Sequence, residues 1–195
     1  MELQHFYINQ KAVALFIPQN VSQVTSHYSP YWAKVWPASI GLCCFLENNL
    51  HYILNKKVLE LAAGLGLPSI FAAGYAKEVF ASDIEPAAIA YIQHSARHHQ
   101  LQNVKAAIID WNEPLKIETP DVLLLSDVNY SPASFPVLFD TICSFLEAGA
   151  TIILSTPQRL MAKEFITRLL PFTIQQDEVI TELGVAISIF VYSKK

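Results

Sequence analysis

The sequence predicts an open α/β fold. Seven strands form its sheet, five in parallel strand–helix units and two in a terminal antiparallel hairpin, with helices on both faces. Three observations carry this expectation. From residue 57 to 170, short apolar runs without polar alternation are separated by helical stretches, the pattern of strands buried on both faces and joined by crossover helices. The last two strand-like runs, FTIQQDEV (172–179) and VAISIFVY (185–192), follow each other across a turn containing Gly184, with no helix between, so they pair antiparallel. The first parallel run, in KVLELAAGLGLPSI, breaks into a turn of small residues before a helix.

Each element has a local reason. Phe6, Ile8, Val13, Leu15 and Ile17 alternate around Asn9-Gln10, which reads as a short hairpin. Residues 18–36 carry Pro18 and Pro30 and read as loop, and Pro37 sits in the first turn of a helix to about Asn49. Strands are expected at 57–61, 78–82, 104–109, 121–126 and 150–155. Helices are expected at 68–75, starting at Pro68, and at 85–99, 135–146 and 159–170.

Composition narrows the partners. A chain of 195 residues, 52% hydrophobic, is expected to form one domain, with residues 1–36 as a hairpin plus a lid-like aromatic segment and 37–195 as the core. The formal charge is −4, and the 13 basic residues are adjacent only at Lys56-Lys57 and Lys194-Lys195, so no stripe tracks a nucleic-acid backbone. No apolar run reaches the ~18 residues of a membrane span, and the start MELQHFYINQ lacks a secretion signal. Cys43, Cys44 and Cys143 read as reduced packing residues, which with the rest suggests a cytoplasmic monomer.

In open α/β sheets, ligands bind outside the carboxyl ends of the strands. The first strand ends at Glu60-Leu61 and runs into Ala62-Ala63-Gly64-Leu65-Gly66, where small residues allow close backbone approach or form a plain turn. The second ends at Asp83, suited to a ribose or to capping the next helix. The third ends at Asp110-Trp111, an acceptor and a flat wall for an adenine, or a surface turn. The fourth ends at Asp127, with Tyr130 beyond it, either facing a reactant or capping the turn at Ser131-Pro132. Three carboxylates without a compensating lysine favour a cation over a pyrophosphate. S-adenosylmethionine, with a sulfonium and no phosphate, fits each element.

An NAD-dependent oxidoreductase is the competing class, since Gly64, Gly66, Ser69 and Asp83 partly satisfy the dinucleotide fingerprint. The terminal strand pair and IDWN argue against it. A cofactor-binding module without catalysis gains nothing from Asp127 and Tyr130. His94 and His98, four apart on a helix, point away from its apolar face and read as solvated rather than metal-binding. Tyr28, Tyr31 and Trp32 suit core packing or a substrate lid equally.

The pieces YWAKVWPAS, KVLELAAGLGLPSI, ASDIEP, IDWN, LSDVNY and, more weakly, LSTPQR resemble class I S-adenosylmethionine-dependent methyltransferases, whose sheet is the Rossmann-like, seven-stranded one expected above. More narrowly they resemble family 16, which includes many protein-lysine methyltransferases; the likeness runs from about Ser29 to Pro157. Within it, DIEPAAIAYIQHSARHHQLQ is similar to the electron-transfer flavoprotein β-subunit lysine methyltransferase group. The resemblance implies that Trp36 lies over the cofactor and that Glu60, Ala62, Ala63, Gly64 and Gly66 line its methionine portion. It implies further that Asp83 holds the ribose, Asp110 and Trp111 frame the adenine, and Ser126 approaches through its backbone. Asp127-Val128-Asn129-Tyr130 matches a D-x-x-Y signature associated with placing the amine to be methylated. The implied acceptor is a protein lysine, with a small pyridine- or nicotinamide-type amine as the alternative, and no metal is implied. The family usually has Gly-Ala-Gly in the first loop; here Ala62 must avoid positive φ or carry strain.

Overall fold

The computed structural model describes residues 1–20, 30–113, 117–182 and 184–194. Tyr28 lies outside them. The chain opens with the hairpin β1 (Glu2–Ile8) and β2 (Lys11–Ile17), turning at Asn9 with φ 49°. Helix α1 (Pro37–Asn48) leads to β3 (Lys57–Leu61), α2 (Leu67–Ala73), β4 (Glu78–Asp83), α3 (Pro86–His98) and β5 (Val104–Ile108). Then come β6 (Val122–Ser126), α4 (Phe135–Glu147), β7 (Thr151–Pro157), α5 (Lys163–Leu169), β8 (Thr173–Ile180) and β9 (Ala186–Tyr192).

Seven strands make one sheet in the order β5-β4-β3-β6-β7-β9-β8. The first five run parallel, and β9 pairs antiparallel with both β7 and β8. The lack of polar alternation now has its cause. On β6, Leu124 packs with α1 and α2, while Leu123 and Leu125 pack with α4 and α5 on the other face. The hairpin forms its own two-stranded sheet and docks on α3, where Phe16 N donates to Ser95 Oγ at 3.0 Å.

Two expectations change. His98 is exposed as expected, but His94 is half-buried; both rings meet the Phe16 ring edge-on at 5.9 Å, so His94 packs against the hairpin. The helix expected from 159 starts at Lys163, after a 3-10 turn over Leu160–Ala162. Arg159 stays extended, with φ −127° and ψ 124°, which turns its side chain back toward the end of β6.

The chain runs outward from β3 to β5, then returns to β6 on the other side of β3. The switch point therefore lies between β3 and β6, where the loops after the two strands diverge and leave a crevice.

Candidate functional site

A cavity of about 460 Å³ opens at this switch point, within the usual size range for small-ligand sites. Its walls come from the loops after four parallel strands, by way of Ala62, Ala63 and Gly64; Asp83; Asp110 and Trp111; and Ser126, Asp127 and Tyr130. The segment before α1 closes one side with Tyr31, Trp32, Lys34 and Trp36. Ten of the twelve residues picked out from the sequence thus meet in one cavity; Glu60 and Gly66 do not line it.

Strand geometry explains Glu60. Leu59 and Leu61 face α4 and α5, so Glu60 faces α2 and is 1% exposed. Its Oε2 accepts from Ser69 N at 2.9 Å and from Ser69 Oγ at 2.5 Å, fixing the first turn of α2. Burial, despite these bonds, pushes its carboxyl up to about 8, so it is mostly neutral at pH 7. Gly66 has φ 75° and precedes α2; a Cβ there would lie 2.8 Å from Ile92 Cγ1 on α3. Both residues sit behind the loop and fix its shape.

The loop itself exposes backbone. Gly64 has φ 54°, and a Cβ there would lie 3.1 Å from the Trp32 carbonyl. Its N–H donates to Asp83 Oδ2 at 2.8 Å, and Glu85 N donates to Asp83 Oδ1 at 3.0 Å. Asp83 therefore clamps the first loop to the start of α3, while its burial raises its pKa. Ala62 takes the strained option, with φ 52°. A left-handed alanine costs about 1–2 kcal/mol, against the ~0.4–1 kcal/mol that a glycine loses through its freer unfolded state. Ala62→Gly is thus expected to leave stability unchanged or raise it by up to ~1.5 kcal/mol. A drop in the urea midpoint equivalent to a normal helix Ala→Gly loss would show that Ala62 is unstrained.

The other walls are polar at their tips and aromatic behind. Asp110 Oδ1 accepts from Asn112 N at 2.9 Å and from Asn112 Nδ2 at 2.7 Å, an Asx turn that holds the Trp111 segment in place. Trp36 Nε1 donates to the Tyr31 carbonyl at 2.8 Å, and the Tyr31 ring meets the Tyr130 ring at 5.4 Å. Ser39 and Ser126 join hydroxyls at 2.9 Å. Burial, then the charges of Asp83 and others, raises the Tyr130 hydroxyl pKa, so it is a neutral donor rather than a base.

At the β6 end of the cavity, Asp127 has φ 55°, and its N–H donates to the Ser155 carbonyl on β7 at 2.9 Å. Its Oδ1 lies 2.5 Å from Arg159 Nη1, with side chains 9% and 26% exposed respectively. Burial pushes the Asp127 carboxyl up to about 6, against the opposing pull of Arg159. The acidic mouth expected from the sequence is therefore partly compensated, since Arg159 and Lys34 both line it, although Glu85 adds a further carboxylate. The arginine of LSTPQR was in view, but the helix expected over it concealed its reach.

These features match known proteins in sequence and fold. The lysine methyltransferase family matches residues 23–171. Protein N-lysine methyltransferase METTL21A of Danio rerio is 33% identical over 63% of the chain and 58% of its own length. EEF1A lysine methyltransferase 3 of Mus musculus is 30% identical over 71% and 62%, and histone-arginine methyltransferase METTL23 of Xenopus laevis is 30% identical over 60% and 53%. The chain thus spans roughly three fifths or less of the length of these curated relatives. TrmN from Thermus thermophilus superposes with a TM-score of 0.65 at 19% identity, over 80% of this chain and 49% of that one. Precorrin-6y C5,15-methyltransferase from Geobacter metallireducens superposes at 0.62 with 14% identity, over 80% and 87%. At such identities these two show a shared Rossmann-like methyltransferase fold and nothing finer. The chain belongs to the lysine methyltransferase family.

Proposed function

We propose that this protein is an S-adenosylmethionine-dependent N-methyltransferase acting on a lysine side chain of a protein. One observation carries the reading: a single cavity at the switch point joins a bare glycine loop, a clamped Asp83, Asp110 with Trp111, and a partly buried Asp127. The fit to the cofactor rests on those walls. Ala63 and Gly64 present backbone where a Cβ at Gly64 would crowd Trp32, and no lysine stands in the loop to hold a phosphate. Ala62, Ala63 and Gly64 would take the methionine portion, Asp83 and Glu85 the ribose, Asp110 and Trp111 the adenine, with Trp36 and Ser126 alongside. When bound, the cofactor supplies a sulfonium methyl: the acceptor nitrogen's lone pair forms the new N–C bond, the S–C pair stays on sulfur, and a proton of the methylated nitrogen leaves to solvent.

Asp127 and Tyr130 act on the acceptor. The carboxylate accepts a hydrogen bond from the amine and stabilises the positive charge that develops on nitrogen, while the phenol donates at the rim. Positioning does most of the work. Exposed apolar groups favour a protein over a lone amine: Leu160 and Met161, on the turn after Arg159, are 95% and 56% exposed, and the Tyr31 and Tyr130 rings that line the cavity are exposed as well. The same reading takes the chain as one domain and a cytoplasmic monomer without a nucleic-acid partner. Its basic residues are scattered, and among the described residues no helix is long and apolar enough to cross a membrane.

Titration calorimetry should register S-adenosylmethionine and not NAD. Tritium transfer from labelled S-adenosylmethionine into cell lysate should then mark a protein band, with methyl-lysine in its hydrolysate. Binding of NAD instead would overturn the class, a labelled small molecule would move the acceptor to the pyridine type, and methyl-arginine would move it to the kind named for METTL23.

A further inference from the structure

Arg159 is the one charged partner of the Asp127 side chain among the described residues, and it reaches Asp127 from a different strand, 32 positions along the chain. It does so because the residues after β7 stay extended until Leu160. The pair lines the cavity at the same end as Tyr130. A guanidinium there is permanently charged. It stands on the carboxylate that an incoming lysine ammonium would seek.

We propose that Arg159 is a positioning residue of the acceptor site: by occupying one oxygen of Asp127 it makes the site admit an uncharged amine in preference to an ammonium. The inference rests on the methyltransferase reading above. An isolated carboxylate would bind the ammonium and hold its proton on, because a nearby negative charge favours the charged form. That would stabilise the unreactive state of the acceptor, which has no lone pair to give. With Arg159 in place the pair is neutral overall. An ammonium must displace the guanidinium, whereas a neutral amine needs only to donate to Asp127 Oδ2. The same contact holds the carboxylate ionised against its burial. The other ionisable groups facing this cavity are Tyr130 beside Asp127, Asp83 and Glu85 after β4, Asp110 after β5, and Tyr31 and Lys34 before α1. Among the described residues the ion pairs and side-chain hydrogen bonds given for Asp127 run to Arg159 alone.

The test uses the full chain and does not need the natural acceptor. The chain has six aspartates, few enough for carboxyl carbon-13 NMR of aspartate-labelled protein to follow Asp127 through a pH titration. In Arg159→Gln the Asp127 midpoint is expected to rise by about one pH unit or more, while Arg159→Lys keeps it within half of that shift. At pH 8, where the wild-type carboxylate is ionised, n-butylammonium serves as the probe for a lysine side chain at constant ionic strength. It should perturb the Asp127 resonance at roughly tenfold lower concentration in Arg159→Gln than in wild type, since the competing cation is gone. Unchanged Asp83 and Asp110 resonances report an intact fold. If Arg159→Gln does not fold, Arg159→Lys carries the test through the same two readings, with a point charge in place of a fork and a smaller shift in the same direction. An Asp127 midpoint that does not move, or n-butylammonium binding that is equal or weaker without the arginine, overturns the proposal. Failure of S-adenosylmethionine to bind in calorimetry would instead remove the methyltransferase reading, and the NMR result would stand apart from it.

Discussion

Replacing Asp127 with asparagine is expected to lower methyl transfer at pH 7.5 by about a hundredfold or more, the scale of losing one preorganised charge from a reacting site. Affinity for S-adenosylmethionine should change little, because most of the groups proposed to hold the cofactor come from other strands, and Ser126 is expected to approach it through its backbone. Stability should also survive. Asparagine tolerates the left-handed backbone that Asp127 adopts at φ 55°, and its side-chain oxygen still accepts from Arg159. Equal loss of turnover and cofactor binding would refute the role given to Asp127. Its ionisation also sets a pH dependence. The carboxyl titrates near 6 in the folded chain against an ordinary value of 3.8. A group whose folded pKa is raised binds its proton more tightly in the folded state. Its contribution to stability is therefore full below the ordinary value and is lost as pH rises through about 6. Activity runs the other way, since the charged form is the one that stabilises the developing cation. Wild-type turnover should fall on an acid limb near pH 6, just where this one group adds stability. In Asp127→Asn the residual rate should lose that limb.

The second large effect falls behind the site. Gly66→Ala is expected to destabilise the fold by about 3 kcal/mol, combining a left-handed alanine with overpacking of a filled core. The collision is with Ile92 Cγ1 at 2.8 Å, a branch close to the backbone of a fully buried side chain on α3, not the loose end of a flexible one. Urea denaturation would report the loss. Adding Ile92→Ala should recover the steric part, so the double mutant should be more stable than the two single changes sum to. If Gly66→Ala leaves the midpoint within ~0.5 kcal/mol of wild type, the size of an ordinary surface change, the loop and α3 can part without cost, and the tight packing assigned to Gly66 is wrong.

Much of this molecule is legible in its sequence alone. The strand runs at 57–61 and 121–126 kept their places because both of their faces are covered, which leaves an unbroken apolar signature. The terminal hairpin was legible because no helix fits between its two strands. Asp83, Asp110 and Asp127 were legible as a group because a parallel sheet delivers all its strand ends to one edge. The burial of Glu60 is not legible in the sequence, because the face a strand residue takes depends on what covers each side, and α2 covers that side. Arg159 is hidden because residues 159–170 read as helix, whereas Arg159 itself is extended and the first turn begins only at Leu160, which lets its side chain meet Asp127.

Local sequence is enough to specify the order of strands and helices, the acidic residues at strand ends and the need for small residues at positions 64 and 66. These follow from local periodicity and conformational preference, which neighbouring residues encode. Long-range packing alone makes Asp83 a clamp between two loops, gives Ala62 its left-handed strain, buries Glu60 behind the loop and sets Arg159 on Asp127. Each of these depends on which side chains from distant segments meet in a water-poor space, and there burial and a single opposite charge decide protonation and reactivity.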